Sequence, residues 1–383
     1  MADRDRLERL VRGWHDLEKK VGSSAVIDFD CAPDVVGDVV QDRFEVLDRF
    51  LALRSEADDC DDVSSVLDAH LAYLRALLGE RLDLAEYIEL TQGAPTTGWA
   101  PAYVAEVGEQ ARRALADVDV AWDDQTRTAF DALSPNLPAE DAGDVIRDYA
   151  REYEAQVRSL TGAETTFELD VETVEVDAYW SYWLDGEGRR ARLRINRRNA
   201  SFTQVDAYRF ALHEVLGHAL QYANLTDVSE HAETPWPRQL AIHCPHQVLF
   251  EGLAQVLPLA ASPDDPLVRA RTRLDHYVQL VNAELHLMVH AGASASACRD
   301  HALSRLPFWR PADVASALRD RSLDPQLRSY LWAYPAGIDW FLNVHDHGGS
   351  LLAEVLHAGY QRPLVPRDLE QLWPAGPRIG GNA

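Results

Sequence analysis

The sequence predicts a mainly α-helical protein with one small antiparallel β-sheet, and three observations carry that prediction. From Asp3 to about Leu160 apolar residues recur at three- and four-residue steps, as in Leu7, Leu10, Val11 and in Phe44, Leu47, Phe50, Leu51. Between Phe167 and Ile195 β-branched and aromatic residues replace that period. Beyond Ser201 the helical pattern returns, punctuated by caps and prolines.

Taken in order, the first part breaks at Gly79, at Gly93 to Pro95 and at Pro135 to Pro138, which predicts a stack of antiparallel helices. The run Asp58-Asp59-Cys60-Asp61-Asp62 reads as a solvated loop that charges a helix N-terminus, with a cation site as the alternative. In the sheet segment Asp185-Gly186-Glu187-Gly188 supplies a turn. The strand Arg190 to Ile195 alternates Ala191, Leu193 and Ile195 with Arg190, Arg192 and Arg194, giving one buried and one basic face. At a sheet edge it would pair with an extended peptide, Arg192 and Arg194 facing substrate, or its arginines would simply protect the edge. Ser201 as N-cap with Gln204 completing a capping box starts a helix running to about Asn224. Further helices are expected over His246 to Ala260, Pro266 to His290, Pro311 to Arg319, Arg328 to Val344 and Leu351 to Ala358. No linker-like stretch divides the chain, so residues 1–165 and 166–383 are expected to form one unit, with the chemistry in the second.

Composition narrows the partners. A net charge of −25 over 383 residues, its excess mostly in residues 1–200, opposes binding to nucleic acid or to an anionic membrane. Cys31, Cys60, Cys244 and Cys298 show no CxxC spacing, and neither a signal-like nor a membrane-spanning apolar run is present; the expectation is a cytoplasmic chain.

The informative segment is Ala211-Leu212-His213-Glu214-Val215-Leu216-Gly217-His218-Ala219-Leu220-Gln221. Histidines four apart lie about 40° apart around a helix, but five apart they lie about 140° apart and diverge. His213 and His218 converge on one cation only if the helix takes in an extra residue, as a π-bulge does, and Gly217 makes that distortion cheap. Glu251, a carboxylate in the apolar stretch Phe250 to Ala254, is the expected third ligand, because a lone buried carboxylate is costly unless paired or metal-bound. A divalent ion, zinc first, would leave room for a water whose proton Glu214 takes. Competing ligands stand in His243-Cys244-Pro245-His246 and Glu230-His231, while His286 and His290, one helical turn apart, are candidate substrate donors.

His213-Glu214-Val215-Leu216-Gly217-His218 resembles the HExxGH motif of the dipeptidyl peptidase III family, in which the two histidines bind zinc and the glutamate is the general base. That family's second motif, Glu-Glu-Cys-Arg-Ala-Glu, is replaced here by Phe250-Glu251-Gly252-Leu253-Ala254. From about Arg190 to Leu372 the chain resembles a bacterial family of helical zinc-peptidase-like proteins with an HExxPGHH signature and a Glu-Gly-Trp-Ala segment. The matching pieces, in order, are Gly217 to Gln221, Glu251 to Ala254, Leu285-His286, Tyr334 to Gly337 and Gly359 to Leu364. The motif here is one residue shorter, and Ala219 stands where the final histidine would be. Both resemblances imply a glutamate-zincin-like helical domain with peptide lying along an edge strand above the metal helix. They also imply a tyrosine or histidine that helps hold the oxyanion, for which Tyr334 is the candidate with Tyr330 one turn earlier.

The expected function is metal-dependent hydrolysis of a peptide or amide bond. Two alternatives stay open: a metalloenzyme acting on a specialised small molecule in a biosynthetic pathway, and a non-catalytic helical binding protein that keeps the scaffold.

Overall fold

A computed structural model gives the fold over residues 2–23, 25–57, 62–177, 181–231 and 233–381. Asp58 to Asp61, and with them Cys60, lie outside the described residues. Among the described residues seven helices form the first part: α1 (Ala2–Val21), α2 (Arg43–Glu56), α3 (Asp62–Leu77), α4 (Leu84–Gln92), α5 (Pro101–Ala116), α6 (Thr126–Asp131) and α7 (Ala139–Thr161). Two-residue strands β1 (Phe29–Asp30) and β2 (Asn136–Leu137) interrupt them. The anticipated break at Gly93 is a left-handed cap that ends α4, and α7 ends the same way on Gly162, which is not among the expected breaks. Leu7, Leu10, Val11 and Trp14 of α1 bury against Val46, Phe50 and Leu53 of α2 and against α3. The face of α2 differs from the expected one: Phe44 and Leu51 are exposed, because Val46 and Leu53 flank Phe50 on the side that meets α1 and α3.

The sheet follows as β3 (Glu168–Val174), β4 (Tyr182–Glu187) and β5 (Arg190–Asn196), with β6 (Phe202–Thr203) beside it in sequence. Its order is β3-β5-β4-β1-β7, where β7 is Gln239–Leu240. The β4–β5 hairpin is antiparallel, with Tyr182 opposite Ile195 and Glu187 opposite Arg190, and turns at Gly188, so Asp185 to Glu187 belong to the strand rather than to the turn. β3 joins β5 in parallel, and β1 joins β4 in parallel. β5 is therefore internal, and no edge of it is free for a peptide. Arg192 and Arg194 both close on Asp185, at 3.0 and 2.6 Å.

The metal-motif helix starts two residues later than its sequence suggests. Phe202–Thr203 pairs with Asn136–Leu137 and stays extended, so Thr203 becomes the N-cap and Asp206 completes the capping box. The helix runs as α8 (Gln204–Phe210), a π-helical segment Ala211–Ala219, and α9 (Leu220–His231). Then come α10 (Gln247–Ala261), α11 (Pro266–His290), α12 (Ala295–Arg305), α13 (Pro311–Asp320), α14 (Pro325–Tyr330), α15 (Ala333–His347), α16 (Leu351–Gln361) and α17 (Pro366–Leu372). The expected single helix Arg328 to Val344 is two, α14 and α15, separated at Leu331-Trp332. The largest core cluster gathers α5, α7, the π-segment, α10, α11, α15 and α16. Among the described residues no helix is long and apolar enough to cross a membrane.

Candidate metal centre

The π-helical segment resolves the spacing problem posed by the sequence. Leu220 N–H reaches back five residues to Val215 O, one more than in an α-helix. The Leu216 carbonyl accepts the Tyr360 hydroxyl. Gln221 and Asn224 clamp the same helix to α16 through the Gly359 and Tyr360 carbonyls, at 2.9 and 2.8 Å. Widening the turn brings His213 Nε2 and His218 Nε2 to 3.2 Å.

Glu251 arrives from α10. A Cβ on Gly252 would stand 2.6 Å from the Gly337 backbone, and one on Gly337 would stand 2.5 Å from Val248 O, so α10 and α15 touch backbone to backbone. That contact sets Glu251 beside Tyr330 and Tyr334. Its carboxylate lies 3.6 Å from His213 Nε2 and 3.9 Å from His218 Nε2. Tyr330 donates to Glu251 Oε1, and the two phenols are 2.7 Å apart. Glu214 Oε1 lies 3.7 Å from His213 Nε2.

Burial governs the electrostatics. Desolvation holds His213 well below the ordinary histidine value and His218 at about 3, so both imidazoles are neutral and their lone pairs free to ligate. Burial lifts Glu251 to about 7, opposed by the hydrogen bonds from the two tyrosines. Glu214 is raised well above its usual range, by burial first and then by the charges of Glu251 and Asp28. His213 also hydrogen-bonds the Ala254 backbone, the support a ligand histidine needs to hold its ring orientation.

The donor set fits a divalent metal ion. Ligand atoms of His213, His218 and Glu251 all lie within 4.8 Å of one another, and Glu251 Oε2 is buried without a hydrogen-bond partner. Two neutral nitrogens and an under-satisfied carboxylate oxygen facing one point suit zinc or a similar ion.

A cavity of about 190 Å³ opens at the cluster, lined by Glu214, His218, Glu251, Tyr330 and Tyr334 and walled by Tyr182, Trp183 and Leu184 of β4. Along Tyr182–Asp185, β4 pairs only with β5 among the described residues, since β1 covers just Gly186 and Glu187. The open strand edge beside the site thus belongs to β4 and not to β5. A second cavity of about 340 Å³ meets His213, Glu214 and Tyr334.

Other sequence candidates fall elsewhere. His286 is fully buried against Trp332 and His290, and His290 Nε2 bonds the Arg321 carbonyl at 2.9 Å; neither lines the cavity. Arg192 and Arg194 border a wider neighbouring recess instead. His243 and Cys244 join His70 in a second group of ligand atoms, and Asp227, Glu230 and His231 form a third, more exposed one. His246 accepts the Ala241 N–H at 3.2 Å. Asp28, which the sequence did not single out, lines the cavity from beside β1. No local signal marks it, because a two-residue strand pairing across more than 150 positions puts it there.

No protein-family model and no curated protein matches the chain. Among solved structures it is similar to a candidate lipoprotein from Colwellia psychrerythraea, with 16% identity and a TM-score of 0.55, over 85% of this chain and 58% of that one. It is also similar to a candidate lipoprotein of unknown function from Shewanella oneidensis (13% identity, TM-score 0.47, 86% and 64% covered). Trypanosoma cruzi metallocarboxypeptidase 1 follows at 10% identity and a TM-score of 0.40, with 96% and 75% covered. The first likeness shows a shared fold and nothing more. The chain spans less than two thirds of either lipoprotein's length.

Proposed function

We propose that the protein is a metal-dependent hydrolase that cleaves a peptide or amide bond. The observation that carries this reading is the convergence of His213 and His218 to 3.2 Å across a five-residue spacing, with Glu251 closing the cluster and Glu214 flanking it. A divalent ion bound there supplies a Lewis acid that polarises the amide carbonyl and acidifies water. Glu214 takes the proton of the attacking water and gives it to the leaving amine as the C–O bond forms and the C–N bond breaks. Tyr330 fixes the Glu251 carboxylate through its hydrogen bond. Tyr334, whose phenol lines both cavities, donates to the carbonyl oxygen as that oxygen gains charge. The free edge of β4 at Tyr182–Asp185 offers main-chain partners to an extended substrate.

The cavity's modest volume, about 190 Å³, favours a second reading, action on one specialised small molecule. A panel of short peptides and simple amides, offered to zinc-loaded protein, separates the two: a peptidase turns over several, a tailored enzyme none. Glu214→Gln is expected to lower kcat by roughly 10²- to 10⁴-fold while metal content stays unchanged. Full activity in that variant removes Glu214 from its role.

A further inference from the structure

The cavity beside the metal cluster carries one carboxyl for which no cationic partner is found among the described residues. Its lining includes three carboxylates, Asp28, Glu214 and Glu251, and neither Lys nor Arg. Glu214 and Glu251 stand at the metal cluster, where a divalent ion balances two negative charges. Asp28 is left over.

Asp28 also borders the wider recess, which Lys19 lines as well and whose arginines are committed elsewhere. Arg192 and Arg194 close on Asp185, and Arg12 closes on Asp30 at 2.8 Å. His15 accepts the Val26 and Ile27 backbone N–H groups, at 3.2 and 3.0 Å, and burial holds it near a pKa of about 4, so it is neutral. The Asp28 backbone is fixed by its N–H bond to Leu240 O at 2.8 Å, which holds the side chain at the cavity wall. Desolvation, with Asp185 and Glu251 adding repulsion, pushes the Asp28 carboxyl up to about 8; its ionised form lacks a cation. Trp183, Tyr182 and Tyr222 line the same cavity, and aromatic rings attract ammonium groups.

We infer that Asp28 anchors a cationic group of the substrate, so that the amides taken are those carrying a free primary ammonium, unblocked amino-acid amides and short peptides among them. This deepens the hydrolase reading and rests on it for the word substrate, but the binding step stands by itself. Asp28 here is a specificity residue; it lies away from the proton transfer assigned to Glu214.

The test uses leucinamide, which carries the ammonium, and N-acetyl-leucinamide, which does not. Binding to the zinc-loaded full chain is measured by calorimetry, with turnover followed in parallel. Wild type is expected to bind leucinamide at least about tenfold more tightly than the acetylated amide, as a charge-assisted hydrogen bond in a screened cavity provides. Asp28→Asn should erase that preference and Asp28→Glu should retain part of it, both with unchanged metal content. Equal affinity of wild type for the two amides, binding of neither, or a preference that survives in Asp28→Asn overturns the inference. Equal wild-type affinities overturn the inference without any variant, and should Asp28→Asn fail to fold, Asp28→Glu, keeping the charge but moving it, serves in its place through a reduced preference. Ammonium-selective binding without turnover of any amide leaves Asp28 in its role and removes the hydrolase; turnover of both amides with equal kcat/KM does the reverse.

Discussion

Among the described residues, two close histidine pairs look alike in isolation. His70 Nδ1 and His243 Nε2 are 2.9 Å apart; His213 and His218 Nε2 are 3.2 Å apart. Burial lowers the pKa of all four rings, and each pair has a third ligand atom near it, Cys244 in one case and Glu251 in the other. Their surroundings differ. His243 stacks on Tyr73 with ring centres 4.0 Å apart, Trp14 and Phe50 complete an aromatic box, and the Cys244 thiol is pushed far from ionising. The second pair faces Glu251, with an oxygen that lacks a partner, and opens onto a cavity. Proximity of imidazoles alone therefore does not separate the two groups. The proposed metal centre differs in its unpartnered carboxylate oxygen and its cavity, whereas the other pair sits in an aromatic box.

Exchanging the same residue in each pair sharpens that contrast. His243→Ala is expected to cost about 2–4 kcal/mol of stability, since it opens a buried cavity and strands His70, while leaving metal content intact. Chemical denaturation beside metal analysis checks both halves. His218→Ala should invert the outcome, removing the metal with the smaller loss of metal-free stability. Loss of metal in His243→Ala would make the first pair a site as well. A smaller effect is expected at Gly217, where a Cβ would stand 2.9 Å from Leu212 O and 3.0 Å from Ala254 Cβ. Gly217→Ala should cost about 1–3 kcal/mol by thermal melt and weaken metal binding by shifting the π-segment; wild-type values for both would show that the wide turn tolerates the methyl group.

Much of this was legible in the sequence. The five-residue spacing of His213 and His218 demanded an extra residue in the turn, and the π-segment Ala211–Ala219 supplies it. Glu251 stood out as a carboxylate in an apolar helix, and it lies with those histidines. Helices α11 and α16 begin where Pro266 and Leu351 suggested. What stayed hidden depends on pairing between distant segments. β5 reads as an edge because its arginines look protective, yet β3 covers it in parallel and Asp185 spends Arg192 and Arg194. The N-cap moved from Ser201 to Thr203 because a bridge to Asn136–Leu137 extends the residues before it. Asp28 reaches the cavity only through β1, too short to register in any local pattern.

Metal content of the purified chain, measured by mass spectrometry beside His213→Ala, His218→Ala and Glu251→Gln, comes first. Glu251→Gln keeps an acceptor for Tyr330 and so isolates the lost charge. About one zinc per chain in wild type, lost in each variant while all four proteins fold, is the expected result. A folded wild type that takes up no metal when zinc is supplied, or three variants that all retain it, would contradict a metal centre at these residues.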